Sequence, residues 1–407
     1  MENKKLIILG NGFDLACGLK SRYADFFNKR INDDISRSLQ NAHRTLIREN
    51  NSGATGLNAP VYMFPTLFDI KKNHSRKNSN YDKIEKFKNL EIILEDRNTI
   101  ENSGLTFWDI VLFYFQNVSQ LNLEDVQWQN IEDRMLDFLT GENTETPSFK
   151  DIYRAINGGS GMGFLNWLCL FVASFLPNRK KSYLMEDFFQ YLYDELHLFE
   201  TAFVEYLDNE VKNSDNYEIT AVNLLEAITS ENIQNLSKHS VLSFNYTKPL
   251  KEHIIHINNV HGTLESKNII FGIDKTGVKT IENIYRFTKT FRQMTETNIS
   301  KDNGDEILPK GNVSEIAFFG HSLSKLDYSY FQTLFDFYDL YSSNIKLAFY
   351  YKVYSGTSSL DMELDLSTRI SKLIEAYGES IENEKKSDNL MHKLLLEKRL
   401  IIEEISC

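Results

Sequence analysis

Four consecutive apolar residues, Leu6-Ile7-Ile8-Leu9, run straight into Gly10-Asn11-Gly12-Phe13-Asp14, and no other stretch constrains this chain as much. The apolar run reads as a short buried strand. Gly10 and Gly12 then break it. Without a Cβ they permit a tight turn whose amide N–H groups point at whatever docks there. Asp14 suits an N-cap for the helical turn that follows. Strand, glycine turn and helix start together suggest a pocket for a nucleotide's phosphates, with a plain strand-to-helix turn as the alternative. The dinucleotide fingerprint G-x-G-x-x-G requires a third glycine where Leu15 stands, which argues against an ordinary dehydrogenase-type domain. A carboxylate repels a pyrophosphate, so Asp14 is expected to meet ribose hydroxyls or amide N–H groups instead.

The chain has 407 residues, enough for one large domain or two to three smaller ones. A hydrophobic content of 42%, with 28 Phe and 20 Tyr, predicts a sizeable aromatic core, and only six Pro and 19 Gly favour long helices. The net charge of −12 has the wrong sign for a protein that neutralises phosphates, so nucleic acid is not the expected partner. A basic cluster from Lys71 to Lys88 reads as a solvated loop leading into a helix. Cys17, Cys169 and Cys407 form no C-x-x-C, which fits a reducing cytoplasm and no zinc module. No signal peptide is expected at the N-terminus. The apolar stretch from Phe164 to Leu176 falls short of the roughly 20 residues of a membrane span and reads as a buried helix.

Tyr23 to Ile47 carries a helical period, and residues 50–80 read as an irregular loop. From Tyr81 to about Leu236 the periodic stretches are helical, including Trp108–Phe115, Ile131–Leu139 and Asp187–Val211. Such a block between strand-bearing ends reads as a helical insertion into an α/β domain. Within it, Glu132 is a candidate for ribose hydroxyls. After His239 come five short apolar runs: Val241–Phe244, Ile254–Val260, Ile269–Phe271, Ile316–Phe319 and Lys346–Tyr351. They alternate little, as strands covered on both faces do. From about Asp361 to the end the pattern reads as helix. Ligands of an open parallel sheet bind beyond the carboxyl ends of its strands. Gly10–Asp14, Asn245 with Tyr246, His261, Asp274 and Gly320-His321-Ser322 with Asp327 are therefore expected to face one cleft.

An Asn and a neutral His beside a phosphate-binding turn suit cleavage of a nicotinamide–ribose bond. Nicotinamide is already a cationic leaving group, and the transition state is oxocarbenium-like, as in glycoside hydrolysis. Asn245 would orient the attacking water and hold the ribose, while His261 would accept a proton. His253, His256 and His261 lack a partner at metal-ligand spacing, so no metal is expected. Ser324 occupies the last glycine of G-x-S-x-G, which argues against a serine hydrolase.

The motifs Ile8-Leu-Gly10-Asn-Gly12-Phe-Asp14-Leu15, Ser243-Phe-Asn245-Tyr246-Thr247, His261-Gly262-Thr263 and Gly320-His321-Ser322-Leu323 with Asp327 resemble the AbiH family of bacterial abortive-infection proteins. Trp128 to Glu132 also fits. More distantly, the two ends of the chain are similar to sirtuin-like NAD-consuming domains. That resemblance implies NAD as substrate, with Asn245 and His261 as catalytic residues and Gly10, Asn11, Gly12, Phe13, Asp14 and Gly320–Ser322 at the nucleotide. The zinc cysteines of deacetylating sirtuins are missing, so hydrolysis of NAD to nicotinamide and ADP-ribose is the expected activity. The expected fold is α/β, a Rossmann-like, sirtuin-like parallel sheet with a large helical insertion and a helical C-terminus. Its expected limits are 1–30 plus 236–355 for the sheet domain, 31–235 for the insertion and 356–407 for the C-terminal segment. Expected partners are NAD, a phage-derived trigger and further copies of the chain, with no membrane. The rival expectation is a non-catalytic nucleotide-sensing protein that acts through a partner, and behind it a nucleic-acid-directed enzyme.

Overall fold

Leu6, Ile7, Ile8 and Leu9 are all buried, and they alternate between two separate hydrophobic clusters. A strand apolar on both sides must be covered on both sides, and that requirement sets the architecture. In the computed structural model β1 (Lys4–Leu9) lies inside a six-stranded sheet of order β3-β2-β1-β4-β5-β6. Its neighbours are β2 (Ser240–Ser243), β3 (His256–Asn259), β4 (Val313–Phe319), β5 (Lys346–Tyr351) and β6 (Leu400–Glu404), and every adjacent pair is parallel. Leu6 and Ile8 face a cluster built with the helices Tyr328–Phe337, Ser359–Glu379 and Glu384–Leu396. Ile7 and Leu9 face the helix Tyr217–Thr229, through Ala221, Leu224, Leu225 and Ile228. This is the doubly wound, Rossmann-like arrangement, and the strand order reverses between β1 and β4.

The structure describes residues 4–40, 103–119, 128–141, 148–150, 185–250, 253–273, 282–297, 299, 307–311, 313–354, 356–381 and 384–405. The expected buried helix at Phe164–Leu176, the basic cluster from Lys71 to Lys88 and the loop at 50–80 lie outside these residues, as do Cys169, Cys407 and Asp274. The chain forms two compact units, Met1–Arg22 with Phe203–Gly277 and Thr288–Cys407, and Tyr23–Ala202 with Val278–Phe287. The sheet unit thus starts again at Phe203, not 236, because Tyr217–Thr229 supplies one face of the sheet. It also absorbs the expected separate segment 356–407.

Three element expectations need correction. The last residues are not all helical, because Leu400–Glu404 pairs with β5 as the edge strand β6. Ile269–Phe271 is buried but joins no ladder; Ile270 N–H donates to the His261 carbonyl (2.9 Å), and Ile273 makes only an isolated bridge with Thr288. The expected helix at Tyr23 is divided into Tyr23–Arg30 and a second run over 33–40. The second unit has an aromatic core, in which Trp108 is fully buried and donates from Nε1 to the Leu192 carbonyl (2.9 Å). Buried Asp109 there takes the Arg30 guanidinium through both oxygens, at 2.8 and 2.6 Å. Among the described residues no helix is long and apolar enough to cross a membrane.

The turn after β1 and the turn after β4 touch backbone to backbone. Gly10 N–H donates to the Phe319 carbonyl (3.1 Å) and Gly12 N–H to the Gly320 carbonyl (2.8 Å). Gly320 has φ +69, and a Cβ there would stand 2.3 Å from the Phe13 nitrogen. Gly18 has φ +88 with nothing within 4 Å of its would-be Cβ. Gly18→Ala is therefore expected to cost about 1 kcal/mol, the left-handed backbone penalty alone. Gly320→Ala adds a collision between main chains and should cost beyond about 3 kcal/mol. Urea unfolding of the two variants measures the difference, and equal midpoints would contradict the close approach.

Candidate active site at the carboxyl ends of the strands

Register brings the expected residues to one edge of the sheet. Ser243 pairs with Asn259 as the last residues of adjacent strands, and Asn245 and His261 each follow two residues beyond those ends. Leu9 pairs with both Ser243 and Phe319, so the β1 and β4 turns stand beside them. Asn245 is buried and donates from Nδ2 to the Gly10 carbonyl (3.0 Å). The Phe244 ring lies edge-on to both His261 and His321, with centroids 5.6 and 4.4 Å away. Gly262 follows with φ +87, and a Cβ there would meet the Asn268 carbonyl oxygen at 2.2 Å, so the His-Gly pair is a packing requirement.

His261 is 5% exposed. The Phe244 backbone acts on it in the sense that raises basicity, as the least of the influences on it. Its Nε2 is buried with no partner among the described residues. Burial above all, and then the Lys289 charge, push the imidazole down to about 3, with Asp327 opposing. His321 differs. Its Nδ1 accepts from Leu323 N–H (3.0 Å), so the proton sits on Nε2, which faces Asp327 Oδ2 at 3.8 Å. With its lone pair occupied, His321 supports Asp327 and cannot serve as a base; burial brings it down to about 4.

Lys289 completes this buried group, with Nζ 3.3 Å from Asp327 Oδ1. Burial pushes the Asp327 carboxyl up, but Lys289, then His321 and His261, pull it below the usual carboxylate value. The two rings remain neutral and the Lys–Asp pair cancels, so the site carries charge without net charge. Sequence reasoning missed Lys289, which lies in no motif and arrives on a short helix, Lys289–Thr295. Tyr246 is half-buried, with its hydroxyl donating to the Ile270 carbonyl (3.3 Å), and Ser322 is half-buried in the β4 turn. Glu132 belongs to the second unit, half-buried on the helix Trp128–Thr140.

The first turn is not the expected cradle. The Gly10 and Gly12 amides are taken by the β4 carbonyls, and Phe13 is fully buried, edge-on to Phe319 at 6.2 Å. Asn11 is bound to Ser21 by donation from Nδ2 to the carbonyl (3.2 Å) and acceptance at Oδ1 from the hydroxyl (2.6 Å). Asp14 is inside the helix Asn11–Ala16, not its cap, and is 1% exposed. It accepts from Tyr217 Oη (2.7 Å) and from Thr247 Oγ1 (3.0 and 2.9 Å). Burial raises it to about 6, with both hydroxyls opposing. The side chains of Asn11, Phe13 and Asp14 are thus engaged within the fold. Among the described residues no group of three His, Cys, Asp or Glu is placed to hold a metal ion.

A family model described as Bacteriophage abortive infection AbiH matches residues 6–351, from β1 to the last residue of β5. The chain belongs to the AbiH family. Membership implies a role in abortive infection by bacteriophage. No curated protein and no solved structure matches the chain. The AbiH match runs from the strand that organises the sheet through every residue of the buried group just described.

Protonation gives this AbiH chain an acid-sensitive stability. The folded state keeps His261 neutral to about pH 3, whereas the unfolded chain takes up that proton below 6.5. Stability from this residue is therefore complete above pH 6.5 and lost as pH falls toward 3. Asp14 acts oppositely: its folded value of about 6 exceeds the ordinary 3.8, so its contribution is lost as pH rises from 4 to 6. His261→Gln should flatten the decline between pH 6 and 4 by about 1.4 kcal/mol per pH unit, and Asp14→Asn should steepen it similarly. Denaturant titrations at several pH values test both slopes. Parallel lines for all three proteins would refute the assignment.

Proposed function

We propose that this AbiH protein hydrolyses the nicotinamide–ribose bond of NAD, releasing nicotinamide and ADP-ribose, with Asn245 and His261 at the reacting end. One observation carries the reading: the buried Nε2 of His261, without a partner among the described residues, two residues past the end of β3 whose neighbour β2 leads into Asn245. Taken as an acceptor, this nitrogen asks for a donor, and a ribose hydroxyl or an attacking water supplies one. Departure of nicotinamide takes the bonding pair from C1′ and leaves an oxocarbenium-like ribose. Water adds at C1′, and its proton passes to His261 Nε2. An imidazole lowered to about 3 is a weak base, but water bonded to an electron-poor carbon is strongly acidic, so weak basicity suffices late in the step. Asn245 Nδ2 is held by Gly10, which fixes the plane of its amide. The phosphates are not assigned to the Gly10 and Gly12 amides, since these already have acceptors.

Loss of NAD would stop growth of an infected cell, which connects the chemistry to abortive infection. A phage-derived trigger and self-association belong to this reading as the means of holding the activity off in healthy cells. The second reading, a nucleotide-sensing protein without turnover, is favoured by one fact, the closed first turn.

Purified protein incubated with NAD is expected to release nicotinamide and ADP-ribose, measured by chromatography. Asn245→Ala and His261→Ala should each lower the rate about 100-fold or more. Turnover that survives in both variants would remove the assigned roles. Tight NAD binding without product, in the presence of phage lysate, would select the sensor reading.

A further inference from the structure

Asn259, the last residue of β3, stands in no motif, yet it bonds the tip that carries Asn245 and lies two residues before His261. It is 8% exposed, and its side-chain amide has two protons with two separate destinations. One bond runs from Nδ2 to the Asn245 carbonyl (2.8 Å) and the other to the Thr247 carbonyl (2.9 Å). The segment Asn245–Thr247 is therefore gathered around a single nitrogen. Further anchors lead to the β1 turn, where Asn245 Nδ2 reaches the Gly10 carbonyl and Thr247 Oγ1 reaches Asp14, and to the loop after His261, where Leu264 N–H donates to the Tyr246 carbonyl (3.0 Å) and Tyr246 Oη to the Ile270 carbonyl (3.3 Å). Among the described residues, the two bonds from Asn259 tie this tip to β3 itself, two residues before His261.

The other end of the same side chain has a different lesson. Asn259 Oδ1 is buried and has no partner among the described residues. An unmet acceptor is a cost that an apolar residue of similar size would avoid. Core packing alone does not account for asparagine here, whereas a need for two donors aimed at the tip does.

We propose that Asn259 is a positioning residue that holds Asn245 in register with His261. This rests on the NAD-hydrolysis reading for its catalytic consequence, but not for its geometry. Asn259→Ala removes both donors, Asn259→Asp keeps the shape and presents oxygen to the two carbonyls, and Asn259→Ser restores one donor. A displacement of about 1 Å at a reacting group costs on the order of 100-fold in rate. In the alanine and aspartate variants kcat for NAD is expected to fall about 100-fold with KM changed by less than about 3-fold, and serine should recover part of the loss. Backbone hydrogen exchange should accelerate at 244–247 in the alanine variant while Leu6–Leu9 stays protected. Should alanine unfold the protein, serine and aspartate carry the comparison, since they differ in the donor. Equal kcat in wild type and the variants would overturn the proposal. If wild type releases no nicotinamide, the NAD reading fails by itself. Exchange then decides the positioning role: selective loosening at 244–247 supports it, and unchanged exchange there overturns it.

Discussion

The contact on which the rest of the sheet unit depends is the backbone meeting of the β1 and β4 turns. In a doubly wound sheet the strand order reverses at that place, and the reversal ordinarily opens a crevice for a ligand. Here Gly10, Gly12 and Gly320 bring main chain against main chain, and the two amides that would greet a phosphate meet carbonyls instead. The usual cleft is thereby closed at its centre. Buried polar side chains without a full set of partners among the described residues are found to one side, at the end of β3. The glycines position the site by packing, and they do not serve as its anion cradle.

Burial then determines what these side chains can do. Lys289 and Asp327 cancel each other, and His261 and His321 are held neutral because the surroundings penalise charge. Two histidines of similar burial differ in how their ring nitrogens are met. Leu323 N–H occupies Nδ1 of His321, whereas Nε2 of His261 is buried without a partner among the described residues. That bond separates the supporting imidazole from the available one.

Much of this was legible in the residues and some was not, for identifiable reasons. Leu6–Leu9, Lys346–Tyr351 and the run before Gly320 announce strands because a continuous apolar run needs no partner to be recognised. Asn245, His261 and Gly320 were placed at strand ends by the same local logic. The partners of Asn11, Phe13 and Asp14, namely Ser21, Phe319, Tyr217 and Thr247, are not legible in the sequence because they are set only once the chain is folded. Ile269–Phe271 has the composition of a strand, but its backbone is engaged by the His261 turn. Leu400–Glu404 hides behind a charged, helix-like neighbourhood, although it closes the sheet. Lys289 and Asn259 carry no motif at all; each matters through one partner remote in the sequence.

A closed first turn also changes how a glycine motif of this type should be read. G-x-G after a buried strand requires close approach of some main chain, and a phosphate is only one thing that can approach. In this AbiH chain the approaching group is the Gly320 turn, which consumes the donors and brings the His321 and Asp327 loop over the sheet. A nucleotide reading then has to stand on the unpartnered Nε2 of His261 and on Asn245, not on the glycines. Such a site would take hold of the ribose end of its substrate first, since the groups that await partners there, Asn258 Nδ2, Asn259 Oδ1 and His261 Nε2, are polar without net charge. Recognition through hydroxyls at a neutral, buried edge is compatible with cleavage at C1′, because a fixed negative charge near the developing cation would bind the ground state of a cationic nicotinamide as well as the transition state.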